Sequence, residues 1–154
     1  MTMQRSFWSF LLLIDVIFMT FISSAKAVSN SSLTVTINGL KNQRGQVCLS
    51  VFSGGRGFPT SSDRAVAARC VKLENAPLTV KFENLKAGNY AIAVFHDANS
   101  DGILNRNLLG IPTEEFGFSQ NPKILTGPPK FGDCAVLVAG PQTNIQIQLL
   151  NFLS

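Results

Sequence analysis

The sequence has few of the residues on which catalytic and nucleic-acid-binding sites commonly depend. It contains one histidine, one tryptophan and one tyrosine in 154 residues. No C-x-x-C motif occurs, which argues against a dithiol redox enzyme. No G-x-S-x-G motif occurs either, so the usual sequence sign of a serine hydrolase is missing. The basic residues are scattered without a run or stripe, and the sequence therefore predicts no nucleic-acid partner.

Aromatic side chains that could form an exposed sugar-binding platform are also scarce. Trp8 lies in the apolar N-terminal segment, and Tyr90 lies in an apolar run where it is expected to be buried. Phe116, Phe118 and Phe131 lie in a long irregular segment, and we expect burial of their rings to anchor that segment. The sequence therefore offers little support for a carbohydrate-binding surface.

The N-terminus has the pattern of a secretory signal peptide. An apolar run covers residues 6–22, is shorter than the ~20 residues of a spanning helix and contains Asp15. An A-x-A site ends at Ala27. We therefore predict a signal peptide at residues 1–27, and a mature chain, residues 28–154, that is periplasmic or secreted and has no transmembrane segment.

Loss of the signal peptide lowers the positive charge only slightly. Without Arg5, Lys26 and Asp15, thirteen basic and nine acidic residues become eleven and eight, so the formal charge falls from +4 to +3. The mature chain is long enough to bury a core of its own as a single domain.

Export changes the interpretation of the three cysteines, because an oxidising compartment allows thiols to pair. Cys48, Cys70 and Cys134 allow three single pairings, each of which leaves one thiol. A Cys48–Cys70 disulfide is favoured because both residues lie in consecutive short extended segments. It would stabilise the fold by about 3 kcal/mol. Cys134 would then be a buried thiol or, less favoured, an intermolecular partner.

Apolar and polar residues alternate along several short segments, which is the pattern of half-buried strands. Turn residues separate these segments. The predicted strands are 33–37, 47–51, 68–74, 80–82, 89–95, 135–139 and 145–149. About seven short strands without a long helical period predict an all-β fold, an antiparallel β-sandwich. One brief helix is predicted within 60–68, capped by Ser61 or Ser62.

A long connection follows the fifth of these strands. Residues 96–132 contain five glycines and four prolines with little sustained alternation. Long ordered loops within a domain tend to be functional or to be held by local interactions. The best candidate site is therefore the part of this connection that covers residues 96–115.

The stretch FENLKAGNYAIAVFHDANSDG resembles the prealbumin-like and carboxypeptidase-regulatory-like sandwiches of secreted proteins. From residue 33 to residue 150 the chain closely resembles DUF2141, an exported bacterial family of unknown function. The most specific parts of the resemblance are His96–Asp97, the turn at 99–102, Gly110–Pro112, Glu114, Gly117–Ser119, Pro128–Pro129 and Phe131–Asp133. The resemblance implies an Ig-like or prealbumin-like β-sandwich and brings no established activity. Glu115 and Cys134 depart from the family pattern, where glycine and alanine are more usual.

The segment from Asp97 to Gly102 has the D-x-N-x-D-G pattern of a calcium-binding loop. A complete loop needs a bidentate acid at its twelfth position, and Leu108 stands there. Glu114 or Glu115 could supply that acid from farther along the chain. The candidate calcium ligands are Asp97, Asn99, Asp101, the carbonyl of Ile103, Asn105 and Glu114.

The alternative interpretation of this loop is a polar turn that satisfies itself. Asp97, Asn99 and Asp101 would then accept hydrogen bonds from nearby backbone amides, as such residues often do after a strand. The pattern favours this interpretation over calcium because a strand leads into the loop and the twelfth ligand is missing.

His96 is the residue that would have to carry any catalysis. A metal-assisted hydrolase could use it with Asp97 and Glu114, but one histidine with carboxylates is a sparse ligand set for zinc. A structural role at the strand end is favoured. We therefore predict a non-catalytic binding or envelope-associated module whose ligand or envelope partner the sequence does not identify, with the hydrolase as the alternative.

Overall fold

The computed structural model describes residues 30–152. The segments in which apolar and polar residues alternate form strands in it. Its strands are β1 (Ser31–Asn38), β2 (Gln46–Phe52), β3 (Ala67–Lys72), β4 (Leu78–Leu85), β5 (Gly88–Asp97), β6 (Phe116–Phe118), β7 (Val136–Val138) and β8 (Thr143–Gln148). All seven predicted strands are present. The eighth, β6, was not predicted because three residues are too few to show alternation.

One sheet contains three strands in the order β4-β1-β8. β1 pairs with β4 in the antiparallel direction and with β8 in the parallel direction. The pairing of β1 with β8 is the parallel exception, within the described residues, in a mainly antiparallel sandwich. These strands come from opposite ends of the described chain, so no hairpin turn forces them to run in opposite directions.

The other sheet has the order β3-β2-β5-β6, and the short β7 pairs with the first residues of β5. All of these pairs are antiparallel. Cys48 on β2 lies directly opposite Cys70 on β3, and the two form the predicted disulfide. Cys134 is a buried free thiol, as the sequence predicted.

The main core lies between the two sheets. It is formed by the inward-facing residues of the alternating strands: Leu33, Val35, Ile37, Val47, Leu49, Val51, Val80, Phe82, Ile92, Val94, Val138 and Ile147. Tyr90 is buried beside them, and its hydroxyl donates a hydrogen bond to the carbonyl of Lys86 at 2.8 Å. The predicted all-β sandwich is therefore confirmed.

A second apolar cluster covers the outer face of the five-stranded sheet. Ala91, Phe116, Phe118 and Cys134 are buried there, and Phe58 and Phe131 are among the half-buried residues that pack against them. The continuous apolar run at 91–95 follows from this arrangement, because β5 is covered on both of its faces. The predicted role of the phenylalanine rings as loop anchors agrees with their positions.

The irregular segments differ from the predictions in two respects. The predicted helix within 60–68 is only a 3₁₀ turn, Ser62–Arg64, and Ser61 makes no side-chain capping bond. The chain enters β3 at Ala67, which leaves no room for a longer helix. The predicted loop at 96–132 begins inside β5 and includes β6 and part of a helical turn, α1 (Phe131–Cys134). The connection after β5 that has no named strand or helix is 98–115.

The predicted signal peptide, residues 1–27, lies outside the described residues. Within residues 30–152, no helix is long and apolar enough to cross a membrane.

Candidate functional site

Asp97 ends β5 and folds the start of the long loop around its carboxylate. The side chain is fully buried. Its Oδ1 accepts a hydrogen bond from the Asp101 amide at 3.1 Å, and its Oδ2 accepts bonds from the Gly102 amide at 2.7 Å and from Gln46 Nε2 at 2.8 Å. These three donors compensate for the loss of water around a buried carboxylate. Asp97 thus ties the loop both to itself and to β2.

Asp101 is the centre of an exposed polar cluster in the same loop. Its Oδ1 accepts from the Ile103 amide at 2.8 Å, and its Oδ2 accepts from the side-chain amides of Asn99 at 2.8 Å and Asn105 at 3.1 Å. These bonds hold the pKa of Asp101 below its ordinary value, with the Ile103 amide as the largest cause, followed by Asn105 and Asn99. The loop therefore favours an ionised Asp101 through its own donors.

Glu114 closes the other end of the loop. Its Oε1 accepts from the Ala98 amide at 3.1 Å, and its Oε2 accepts from the Asn105 amide at 3.0 Å. The predicted ligand residues are thus brought into one network, largely through backbone N–H groups. Ile103 contributes its N–H to Asp101. In residues 30–152 no group of three or more histidine, cysteine, aspartate or glutamate residues is arranged to hold a metal.

His96 and Glu115 form a buried pair next to this network. The His96 ring is fully buried, and its Nε2 lies 2.7 Å from the carbonyl oxygen of Arg44. A carbonyl only accepts, so Nε2 must carry a proton and donate it. Nδ1 lies 3.0 Å from Glu115 Oε2, within hydrogen-bond distance. The backbone reinforces the pair, because the His96 amide donates to the Glu115 carbonyl at 2.8 Å.

Both ring nitrogens of His96 are therefore engaged with the protein. Asp97 is fully buried as well, and both oxygens of Glu114 accept amide hydrogens. The three residues of the hydrolase hypothesis thus all make hydrogen bonds within the protein. Their contacts join the long loop to β2 and β5.

The middle of the long loop forms a small hairpin. Arg106 and Pro112 make an antiparallel bridge, and the Asn107 amide donates to the Ile111 carbonyl at 2.9 Å. At the tip, Asn107 Oδ1 accepts from the amides of Leu109 at 2.9 Å and Ile111 at 3.0 Å. The turn is thus ordered by an asparagine side chain, which is a common arrangement in tight turns.

A cavity of about 620 Å³ lies between the outer face of the five-stranded sheet and the loops that cover it. The sheet provides Ser50, Ala93, Phe95, Phe116 and Phe118, and the hairpin region 102–112 forms part of the facing wall. The remaining lining residues include Pro59, Thr60, Ser62, Ile124, Gly127, Pro128 and Phe152. Arg106 is the charged residue of this lining.

A smaller cavity of about 230 Å³ shares Phe118 and Ile124 with the first. Its lining also contains Lys123 and Leu150. Neither cavity was predicted from the sequence. The signals that pointed toward them were the continuous apolar run at 91–95, which indicates a strand covered on both faces, and the phenylalanines at 116 and 118.

Comparison with known proteins places this architecture in a family. The model of a family described as "Uncharacterized protein conserved in bacteria (DUF2141)" matches residues 35–146. The chain belongs to the DUF2141 family. The match begins within β1, covers β2 to β7 and the whole long loop, and ends within β8. It includes most of the larger cavity's lining, so the candidate site lies almost entirely within the DUF2141 region. No curated protein and no solved structure matches the chain.

The sequence-based resemblance to DUF2141 is thus confirmed. The family description names no activity, so the chemistry of the site has to be inferred from the geometry of this DUF2141 chain.

Proposed function

We propose that this DUF2141 protein is an exported, non-catalytic binding module, and that the larger cavity holds a small, mainly apolar organic ligand. The observation that carries the proposal is the cavity of about 620 Å³ between the sheet and the long loop. Small-molecule sites are typically concave, about 300–1,000 Å³ in volume and mostly apolar with a few polar groups. The volume and lining of this cavity fit that description.

The residue types in the cavity lining support binding rather than catalysis. Histidine, cysteine, aspartate and glutamate do not occur in the described lining, whereas Ser50, Thr60 and Ser62 offer hydroxyl groups and Arg106 offers a positive charge. General acid–base or nucleophilic chemistry usually needs a titratable group beside the nucleophile. Hydroxyls and one guanidinium instead suit the orientation of a ligand that carries an anionic or polar end.

Export is supported by the disulfide between Cys48 and Cys70, because disulfides persist mainly in oxidising compartments. The predicted cleavage site after Ala27 supports it from the sequence. Expression of the full chain in a bacterial host, followed by fractionation and intact-mass measurement, tests this part. We expect a periplasmic or secreted product that begins at Val28, and a cytoplasmic product of full mass would contradict it.

Ligand binding can be tested with anilinonaphthalene sulfonate, a fluorescent probe with an apolar body and one anionic group. Wild-type protein should bind it saturably with enhanced fluorescence. Ser50→Phe fills the cavity from β2 and should weaken binding about tenfold or more, because the ring occupies the ligand's volume. Thr36→Phe introduces the same ring on the outer face of the other sheet and should bind as wild type does. Equal binding by both variants, with circular dichroism showing both folded, would contradict the proposed site.

Calcium binding at the 97–105 loop remains a prediction, and the donors present fit it in part. Asn99 and Asn105 turn their NH₂ groups toward Asp101, and a rotation of each amide would present an oxygen instead. Asp97 and Glu114 direct their oxygens to backbone amides. A rise in melting temperature with calcium, lost with chelator and in Asp101→Asn, would support a bound ion. Equal melting temperatures in calcium and in chelator would remove calcium from the description of the loop.

A further inference from the structure

Exposed apolar side chains are concentrated around the two cavities. Eight large apolar side chains are exposed in the part of the chain that the structure describes. Six of them line a cavity or lie in the chain between lining residues: Ile103, Leu108, Leu109, Leu125, Leu150 and Phe152. These six are called the apolar rim below. Val66 and Leu137 are the two that lie elsewhere.

Leu108 and Leu109 are the most unusual members of the apolar rim. Their relative exposures are 106% and 83%, at the tip of the hairpin that Asn107 orders. Turn tips are normally polar, because an apolar side chain at an exposed tip stays in water and gains no free energy from burial. An ordered turn that presents two leucines to solvent is typical of a surface that becomes covered by another apolar phase.

The charged residues that line the two cavities are basic, whereas Asp101, which accepts a hydrogen bond from the Ile103 amide, lies outside both linings. Arg106 lines the larger cavity and Lys123 lines the smaller one, and the described lining of both contains no acidic residue. Arg106 uses Nη1 to donate to the Gly110 carbonyl at 2.9 Å, which leaves other guanidinium N–H groups for an anion. Basic groups next to exposed leucines are complementary to anionic head groups above acyl chains.

We propose that the apolar rim docks on an anionic phospholipid surface and that the larger cavity receives an acyl chain of such a lipid. Leu108, Leu109 and Leu125 enter the acyl region, while Arg106 and Lys123 contact head-group phosphates. The inference rests on the proposed function, because it specifies the ligand class of the same cavity. Hydrophobic insertion combined with electrostatic attraction is the usual basis of reversible membrane association.

The apolar contribution is tested by sedimentation with vesicles of phosphatidylcholine, alone or mixed with phosphatidylglycerol. The double variant Leu108→Ser/Leu109→Ser should bind mixed vesicles about tenfold or more weakly than wild type, because two apolar side chains no longer leave water. Leu137→Ser is the matched control, since Leu137 is 65% exposed on β7 and lines neither cavity. Equal loss in the variant and the control would overturn the proposal.

The electrostatic contribution is tested with Arg106→Gln/Lys123→Gln. This variant should lose the preference for vesicles that contain phosphatidylglycerol, and wild-type binding should weaken as salt increases. Lys41→Gln/Lys86→Gln removes two exposed lysines elsewhere and should keep the preference. Retention of the preference in the Arg106 and Lys123 variant would overturn the proposed role of these residues.

The soluble probe distinguishes failure of this inference from failure of the proposed function. Wild-type protein that binds anilinonaphthalene sulfonate but neither type of vesicle would overturn the membrane inference and leave the cavity function intact. Vesicle binding that is equal in wild type and Ser50→Phe would overturn the placement of an acyl chain in the cavity. If the protein forms a dimer without lipid and Leu108→Ser/Leu109→Ser abolishes that dimer, the apolar rim binds a second copy of the chain, and the membrane inference is overturned.

Discussion

His96 and Glu115 show how one buried polar pair can connect a loop to a sheet. The pair lies at the end of β5, and His96 also donates to the Arg44 carbonyl in the segment before β2. A buried polar group without its partner loses its hydration and receives no compensation. Each member of the pair therefore stabilises the fold mainly by providing a hydrogen-bond partner for the other buried side chain.

His96→Ala should destabilise the fold by about 1–3 kcal/mol, because Glu115 Oε2 loses its hydrogen-bond partner while Asn151 still donates to Oε1 at 3.4 Å. Glu115→Gln should cost less, since the Gln amide can donate to Nδ1 of a neutral ring that still donates to Arg44. Urea unfolding of both variants measures the difference. A His96→Ala variant within about 1 kcal/mol of wild type, with unchanged m-value, would show that the pair contributes little to stability.

Cys134 is a second buried residue with a measurable consequence. Burial, and to a smaller extent the charge of Asp133, raises the pKa of the Cys134 thiol from 9.0 to about 11. The folded state thus retains its proton at pH values where the unfolded chain has lost it. Since the unfolded state then binds fewer protons, the free energy of unfolding falls as the pH rises from about 9 to about 11.

Cys134→Ala should remove this part of the pH dependence. Wild type should lose more stability than the variant between pH 9 and pH 11, and the two curves should run parallel near pH 7 to 8. Thermal unfolding across this pH range provides the comparison. Parallel curves over the whole range would mean that Cys134 does not titrate as proposed.

At the scale of elements, the disulfide secures β3, which is an edge strand of its sheet. Cys48 and Cys70 are 22 residues apart in sequence and face each other across β2 and β3. A bridge of this span restricts the unfolded chain. The bridge therefore contributes to the stability of the sandwich on which the cavity is built.

Cys48→Ala/Cys70→Ala should lower the free energy of unfolding by about 3 kcal/mol. Urea unfolding without reductant measures this loss. Reductant should produce a similar loss in wild type and have no effect on the double variant. A loss below about 1 kcal/mol would indicate that the unfolded chain gains little freedom when the bridge is removed.

The connection between β1 and β2 passes very close to the start of the long loop. Gly45 has a φ of +72°, and a Cβ at this position would overlap the Asp97 carbonyl oxygen and lie 2.7 Å from the Ala98 carbonyl carbon. Backbone atoms cannot turn aside as side chains do. Glycine is therefore required here both for its dihedral angle and for its lack of a side chain.

Gly45→Ala should destabilise the protein more than Gly140→Ala does. Gly140 has a φ of +68°, but a Cβ there would meet nothing within 4 Å, so its substitution measures the dihedral cost alone. That cost is about 1–2 kcal/mol. Urea unfolding measures the loss of stability in each variant, and the larger loss for Gly45→Ala reports the cost of the clash. Equal losses for the two variants would contradict a clash.

At the scale of the whole molecule, β8 completes the sandwich from the far end of the described chain. It lies parallel to β1, and its Ile147 is fully buried in the core between the sheets. Leu150 follows β8 and pairs with Phe116 of β6, which belongs to the other sheet. β8 and the residues that follow it therefore connect the first sheet to β6 of the second.

Ile147→Ala should cost about 2–5 kcal/mol, because the surrounding core cannot close the space that is left. The neighbouring Gln146→Ala should change stability by less than about 0.5 kcal/mol, since the Gln146 side chain is exposed on the other face of β8. Urea unfolding of both variants tests the placement of β8, and comparable costs at the two positions would contradict it.

Short-range patterns in the sequence determined a large part of this structure. Alternation placed seven strands because neighbouring residues on a strand face opposite sides. The same strands placed Cys48 near Cys70, and D-x-N-x-D-G marked a loop whose side chains satisfy nearby amides. These features depend on residues that are close in sequence or on adjacent strands.

The tertiary structure alone decided the direction of β8, the pairing of β6, the His96–Glu115 contact and the cavity. The cavity joins residues from Ser50 to Phe152, and no local preference specifies how such distant segments meet. Their arrangement depends on packing around a shared core, where contacts of long sequence separation compete with one another. The sequence thus determined the fold class, and the packing decided where the cavity lies.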